Sequence, residues 1–295
     1  MTVADFAVQA LVAQLLGAAF PGAPLVAAEA ADALRDQTAR GQLALVTEYV
    51  GRHIPDTSPE RVCQWIDAGT AEPADRFWTL DPVDGTKGFL RGDQYAVALA
   101  RVEGGQVTVG VLGCPHLTGG TLTELDGPGS LIVAVRGQGT WTTALDRETV
   151  PVRLRVSQRG DPTAARLLRS YEADHTHPGA MDALVRDLRV RAAPVPMDSQ
   201  AKFAVVAAGA GEVLVRLLSP ARPDYREKIW DQAAGSLAVE EAGGRVTDLA
   251  GRPLDFSTGR TLRDNVGVLA TNGLLHEAVL GALAPILARG PRGID

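Results

Sequence analysis

Trp78-Thr79-Leu80-Asp81-Pro82-Val83-Asp84-Gly85-Thr86-Lys87-Gly88-Phe89 is the stretch on which the fold turns. Phe77–Leu80 reads as a strand that delivers Asp81 at its end, where Pro82 takes the chain out of the ladder because it has no N–H to give. Asp84 follows three residues later, with the Val83 carbonyl between the two carboxylates. Two carboxylates and a carbonyl on one tight turn suit a hard, oxygen-seeking cation, and can bridge two Mg²⁺ ions about 3.5–4 Å apart. Gly85 and Thr86 then open a turn whose amides could face a phosphate, and the Thr86 hydroxyl could orient a water. The bland alternative is an Asx-turn with its carboxylates in solvent, since Asp and Gly are common turn residues.

Outward from this stretch, the flanks look like strands. Tyr95–Val102 and Gln106–Gly113 are apolar runs joined by Glu103-Gly104-Gly105, and Ser130–Val135 pairs by pattern with Gly139–Thr143. Upstream, residues 4–18 carry apolar residues at helical spacing and stop at Phe20-Pro21-Gly22. Pro24 to Ala28 reads as a short buried strand, 32–53 as a helix and 55–59 as a loop. Downstream, the pattern predicts helix 180–188, strand 188–193, helix 199–209, strand 212–218, helix 231–242, strands 245–249 and 265–270, and helix 273–288. This is an α/β chain of layered helices and sheets without repeats. A boundary near residue 158 would divide a metal-binding half, 1–158, from an α/β half, 159–295.

Composition narrows the function. The 295 residues are 45% hydrophobic, enough to bury a full core, and the net charge of −6 argues against non-specific nucleic-acid binding. An anionic small molecule remains compatible, because a basic pocket can sit inside an acidic protein. The two cysteines, Cys63 and Cys114, have no metal-ligand spacing and fit a reducing, cytoplasmic setting. The apolar run Phe6 to Phe20 lacks a basic n-region, the first basic residue being Arg35, and it is too short to span a membrane.

A second chemical element is Ile229-Trp230-Asp231, ahead of the helical run closed by Gly243-Gly244. Asp231 reads either as an N-cap or as a third metal carboxylate. Asp5, in Thr2-Val3-Ala4-Asp5, has the same two readings.

The strings DPVDGTKGFLRGDQYAVALA from Asp81, SQAKFA from Ser199, YREKIWDQAAGSLAVEEAGG from Tyr225 and VGVLATNG from Val266 together resemble the adenosine 3′,5′-bisphosphate nucleotidases of the inositol monophosphatase superfamily. The likeness covers essentially the whole chain. It implies alternating α and β layers with the site between two halves, and a Mg²⁺-dependent, lithium-sensitive phosphomonoesterase using two or three ions. It implies metal ligation by Asp81, the Val83 carbonyl, Asp84 and Asp231, and a Thr86–Asp5 pair that helps deprotonate the attacking water. It implies nucleotide contacts from Ser199, Lys202, Arg216 and Lys228, with His175 of the Ser170–Gly179 loop as a further contact. The expected partner is a small nucleotide bisphosphate, not a nucleic acid or a membrane, and the expected state is a monomer or homodimer. An inositol- or sugar-phosphate phosphatase and a weak nucleotide-binding sensor are the alternatives.

The chain departs from that pattern in places. The paired glutamates expected after the 24–28 strand are replaced by Ala27-Ala28-Glu29-Ala30, which puts Ala28 where a metal ligand belongs; either Glu29 takes the role through a one-residue shift or the site is short of a ligand. The residue after the Trp-Asp pair, usually His, is Gln232, which cannot titrate. The resemblance also implies a helical segment ahead of Thr2, whose loss would bare apolar surface.

Overall fold

A computed structural model describes residues 1–120, 122–123, 127–170, 178–218, 222 and 224–288. Helix α1 (Val3–Ala19) starts on a capping box: Thr2 Oγ1 accepts from the Ala4 and Asp5 amides, and the Asp5 carboxylate accepts from the Thr2 amide. Strand β1 (Leu25–Ala27) follows, then α2 (Asp32–Arg35), a 3₁₀ turn at Gln37–Ala39 and α3 (Arg40–Gly51). The single helix expected over 32–53 is therefore broken. Asp36 is extended and its side chain caps the 3₁₀ turn through Thr38, the alternative partner that Asp offers a backbone. Helix α4 (Pro59–Asp67), missed in the sequence, begins at an ordinary signal, Ser58 as cap and Pro59 in the first turn.

Strand β2 (Arg76–Asp84) is longer than expected. Pro82 does not end it. The register against β3 (Ala96–Glu103) shifts between Asp81 and Asp84, so the proline sits in a bulge and pairing resumes. Between them lies α5 (Thr86–Arg91), opened by Gly85 at φ 86°. Only glycine suits that position, because a Cβ there would also fall 2.9 Å from the Ser199 Cβ.

Next come β4 (Gln106–Cys114), the short pair β5 (Leu117–Thr118) and β6 (Leu122–Thr123), and β7 (Ser130–Val135), β8 (Gly139–Thr143) and β9 (Val152–Leu154). The second half holds β10 (Leu167–Arg169), α6 (Pro178–Asp187), β11 (Val195–Pro196), α7 (Ala201–Ala207), β12 (Val213–Arg216), α8 (Ala233–Glu241), β13 (Arg245–Thr247), β14 (Val268–Thr271) and α9 (His276–Ala288). No strand forms over 188–193: Arg189 turns at φ 54°, and only Val195–Pro196 joins the sheet.

Besides the two-stranded β5-β6 pair, two large sheets form among the described residues, ordered β1-β2-β3-β4-β7-β8-β9 and β11-β10-β12-β14-β13. Alternation along β3 shows the layering. Ala96, Ala98, Ala100 and Val102 bury against Phe203 of α7 and the alanines of α8, while Val97 and Leu99 face the other way with Val12 and Leu16 of α1. Leu214 and Ala270 of the second sheet also join the α7–α8 core, whereas Val213, Val215 and Leu269 pack with α6 and α9. The layers therefore run helices, sheet, helices, sheet, helices, the α/β sandwich that the sequence implied.

Candidate active site

The residues singled out by sequence converge on one cavity of about 330 Å³ between the two sheets. The β2 end supplies Asp81, Val83 and Asp84. The first turns of α1 and α5 supply Asp5 and Thr86, and the segment after β1 supplies Ala28 and Glu29. Ser199, Lys202, Arg216 and Asp231 line it from the second half. Lys228 is not on that wall; its Nζ lies 5.8 Å over the Trp230 ring. His175 lies outside the described residues. Asp231 ends a 3₁₀ turn, Ile229–Asp231, and α8 is preceded by Gln232, so Asp231 is not the N-cap of that helix.

Six acids, Asp5, Glu29, Asp81, Asp84, Asp198 and Asp231, face three bases, Lys87, Lys202 and Arg216, on the same cavity wall. The excess of acid shows in their protonation. Burial, then the Asp84 and Asp231 charges, raise the Asp81 carboxyl well above the usual range. Burial also raises Asp84, against the pull of Lys202. Asp231 is pushed up to about 7 by burial, with Arg216 opposing and Asp84 adding to the rise. Glu29 rises to about 7 through burial and the Asp5 charge.

The donor set is therefore all hard oxygen, crowded and short of positive charge. The buried Oε2 of Glu29 has no hydrogen-bond partner among the described residues. These features fit a divalent cation of the Mg²⁺ type. No three His, Cys, Asp or Glu side chains form a ready-made cage among the described residues.

Thr86 Oγ1 is 3.1 Å from the Val83 carbonyl and 3.4 Å from Asp5 Oδ1, so its one proton has two acceptors and its lone pairs remain for a water. Ser199 is held at φ 66°, a costly conformation for a residue with a Cβ, which makes it a candidate for a functional role. The Gln200 amide after it donates to Asp84 Oδ2 at 2.5 Å. Lys202 is buried, donates to the Met197 carbonyl at 3.1 Å and is lowered to about 8 by desolvation. Arg216 donates to Glu227 at 2.7 Å, and Gln232 Nε2 donates to the other oxygen of the same carboxylate at 2.8 Å. Glu227, Gln200 and Gln9 escaped sequence reasoning. Gln9 is a polar residue in an apolar run, a signal that is visible but has no direction until the chain is folded, whereas Gln200 and Glu227 lie among polar and charged neighbours that mask them.

A model of the Inositol monophosphatase family matches residues 1–288, and the chain belongs to that family, which is metal-dependent. Among curated proteins it is 39% identical over 304 residues to the 3′(2′),5′-bisphosphate nucleotidase of Schizosaccharomyces pombe, covering 99% of this chain and 85% of that one. The Oryza sativa 3′(2′),5′-bisphosphate nucleotidase is 40% identical over 301 residues, covering 96% and 83%. Among solved structures, the Thermotoga maritima IMPase superposes with a TM-score of 0.57 at 22% identity, over 96% of each chain. An IMPase/NADP phosphatase complexed with Mg²⁺ and phosphate superposes at 0.60 with 18% identity, over 95% of this chain and 80% of that one. At such identities the likeness is one of fold.

Proposed function

We infer that the chain is a Mg²⁺-dependent phosphomonoesterase of bisphosphate nucleotides. It removes the 3′-phosphate of adenosine 3′,5′-bisphosphate to give AMP and phosphate, with 3′-phosphoadenylyl sulfate as a second substrate. The observation that carries this is one cavity in which carboxylates from both halves meet two cations of the second, Lys202 and Arg216. A monophosphate needs only the metal-binding carboxylates; a substrate with a second anionic group also uses the cations. The full-length nucleotidase relatives support the same substrate.

Asp81, the Val83 carbonyl, Asp84, Asp231 and Glu29 would hold two or three Mg²⁺ ions. When bound there, Mg²⁺ supplies Lewis acidity, making water a better nucleophile near neutral pH and neutralising charge on the departing oxygen. The chain's own part is positional. Thr86 turns its hydroxyl proton from the Val83 carbonyl to Asp5 and accepts a hydrogen bond from the attacking water; the water's proton passes to Thr86 Oγ1 as the threonine's own proton passes to the Asp5 carboxylate. Gly85 and Thr86 offer amides at the start of α5 to the phosphate. Lys202 and Arg216, with Ser199 beside them, hold the remote phosphate and sugar and so orient the ester. Lys228 and His175 are proposed for the outer end of the nucleotide. The halves 1–158 and 159–295 are proposed as the two units that meet at the cavity. The two free cysteines, both buried, support a cytoplasmic setting.

Phosphate release from adenosine 3′,5′-bisphosphate, AMP and inositol 1-phosphate, each with and without Mg²⁺, tests the proposal. Release from the bisphosphate that depends on Mg²⁺ and exceeds release from the other two is expected. Equal kcat/KM for inositol 1-phosphate would overturn the substrate, and binding without turnover would favour the sensor.

A further inference from the structure

Pairing of β1 with β2 stops at Ala27, opposite Leu80. Beyond that point no ladder dictates where the chain goes, yet the next two residues are Ala28 and Glu29, on the cavity wall. The backbone groups there are nevertheless held one after another. The Ala27 amide donates to the Gly69 carbonyl at 2.7 Å, and the Ala27 carbonyl accepts from Arg260 at 2.6 Å. The Ala31 amide donates to Asp67 Oδ1 at 2.9 Å. Between these anchors, one side chain grips both polar groups of Glu29. The Glu29 amide donates to Gln9 Oε1 at 3.0 Å, and the Glu29 carbonyl accepts from Gln9 Nε2 at 2.8 Å. The second Nε2 hydrogen goes to the Ile66 carbonyl at 2.7 Å. A primary amide carries the same donor and acceptor as a peptide unit, so Gln9 pairs with Glu29 as a neighbouring strand would.

Gln9 is fully buried, and its helix neighbours Phe6 and Ala10 sit in the apolar cluster of α1, α3 and α4. Packing alone would be served by Leu or Met. A buried amide is costly unless its bonds are made, and here they are made to the segment that carries Glu29. Gly69 makes room for it: a Cβ at that position would fall 2.5 Å from Gln9 Nε2. Gln9 also lies one helical turn after Asp5, so a single face of α1 presents the acid and the clamp together. Glu29 is 8% exposed and shares the wall with Asp5. Burial and like charge both favour its turning out to solvent; the grip on its own peptide groups resists that.

We propose that Gln9 is a positioning residue whose amide clamps the Glu29 peptide and so aims the Glu29 carboxylate into the cavity as the metal-binding acid that Ala28 does not supply. This rests on the reading of Glu29 as a metal ligand. Binding of Mn²⁺ to the full-length protein, followed by electron paramagnetic resonance, tests it without turnover. The variants are Glu29→Gln, Gln9→Met, their double, and Val62→Ala as a core-destabilised control from the same cluster; urea midpoints are measured for all.

Glu29→Gln is expected to weaken Mn²⁺ binding at least about tenfold, and Gln9→Met by about tenfold, the usual scale for a partner that orients a ligand. The double variant should bind no more weakly than the poorer single one, because the clamp acts through Glu29. Val62→Ala should lower the urea midpoint and leave Mn²⁺ affinity unchanged. Gly69→Ala, which keeps the amide but displaces it, should behave as Gln9→Met does, including in a variant that folds where Gln9→Met does not. Unchanged affinity in Gln9→Met, additive losses in the double, or an equal loss in Val62→Ala would overturn the clamp while leaving Glu29 a ligand. Unchanged affinity in Glu29→Gln would overturn the ligand itself.

Discussion

Two kinds of buried acid coexist in this molecule. Glu212 has a fully buried carboxylate that accepts from the Arg166 amide at 2.7 Å and from its Nε at 3.1 Å, with Arg159 at 3.6 Å. Asp248, also fully buried, accepts from the Ala250 and Arg252 amides, from Arg252 Nε and from Asn265. Burial pushes both upward, but these donors outweigh it and hold both below their ordinary range. Around the cavity the balance reverses: Asp81, Asp84, Asp231 and Glu29 are all raised. The first kind is complete without any further partner and serves the fold. The second is a concentration of charge that the protein's own donors do not offset, which is how perturbed carboxylates mark a functional site.

The contrast breaks most sharply at Asp84. Asp84→Asn should lower kcat by about a thousandfold or more, the scale of removing a preorganised electrostatic group. Its urea midpoint should stay equal or rise, since the ionised carboxylate is the disfavoured form there. Near wild-type turnover, or a collapsed midpoint, would put Asp84 on the structural side.

His276 belongs with the closed group: it is fully buried between the Thr247 and Thr271 hydroxyls at 2.9 and 3.0 Å. Burial chiefly, with Arg245 adding, lowers it to about 4. Above pH 6.5 the folded and unfolded chains both keep it neutral. As pH falls toward 4, the unfolded chain binds a proton that the folded chain refuses, so stability drops by up to about 3 kcal/mol. Urea titrations at several pH values should show that slope in the wild type and lose it in His276→Gln.

Glu212→Gln sharpens the comparison from the other direction. It should cost about 2 kcal/mol of stability, below the value for a fully enclosed ion pair because Arg166 reaches water, while kcat and KM stay put. Activity falling in step with stability would erase the distinction. The smallest effect is expected at Lys202, the counter-charge on the far wall. Lys202→Ala should raise KM for the bisphosphate by about tenfold, roughly 1.4 kcal/mol, and lower kcat less, if it binds a group remote from the reacting phosphorus as proposed. A pure kcat loss would move Lys202 into the reacting centre.

The readings that succeeded were local ones. A strand running into Asp81, a glycine turn at Gly85 and a hydroxyl at Thr86 depend on neighbours in the chain, and all stand where the sequence implied. The failures were cases where distant groups decided. Pro82 was expected to end β2, but a bulge against β3 keeps the strand paired to Asp84. Residues 188–193 have the composition of a strand, but the sheet edge takes Val195–Pro196 instead.

By itself the sequence determined the family, the α/β order and the turn that carries the DPVDGT acids, because residue type and short spacing are enough to define a turn. Only the tertiary structure decided what surrounds those acids. Asp5, Glu29, Asp84 and Asp231 are up to 226 residues apart in the chain, and their shared burial and repulsion arise only when two sheets close on α7 and α8. The same holds for Gln9, an unremarked amide on a helix until folding lays Glu29 against it. A carboxylate's charge state and a side chain's aim are properties of what packs around them, and the layers of this fold bring those neighbours from both halves of the chain.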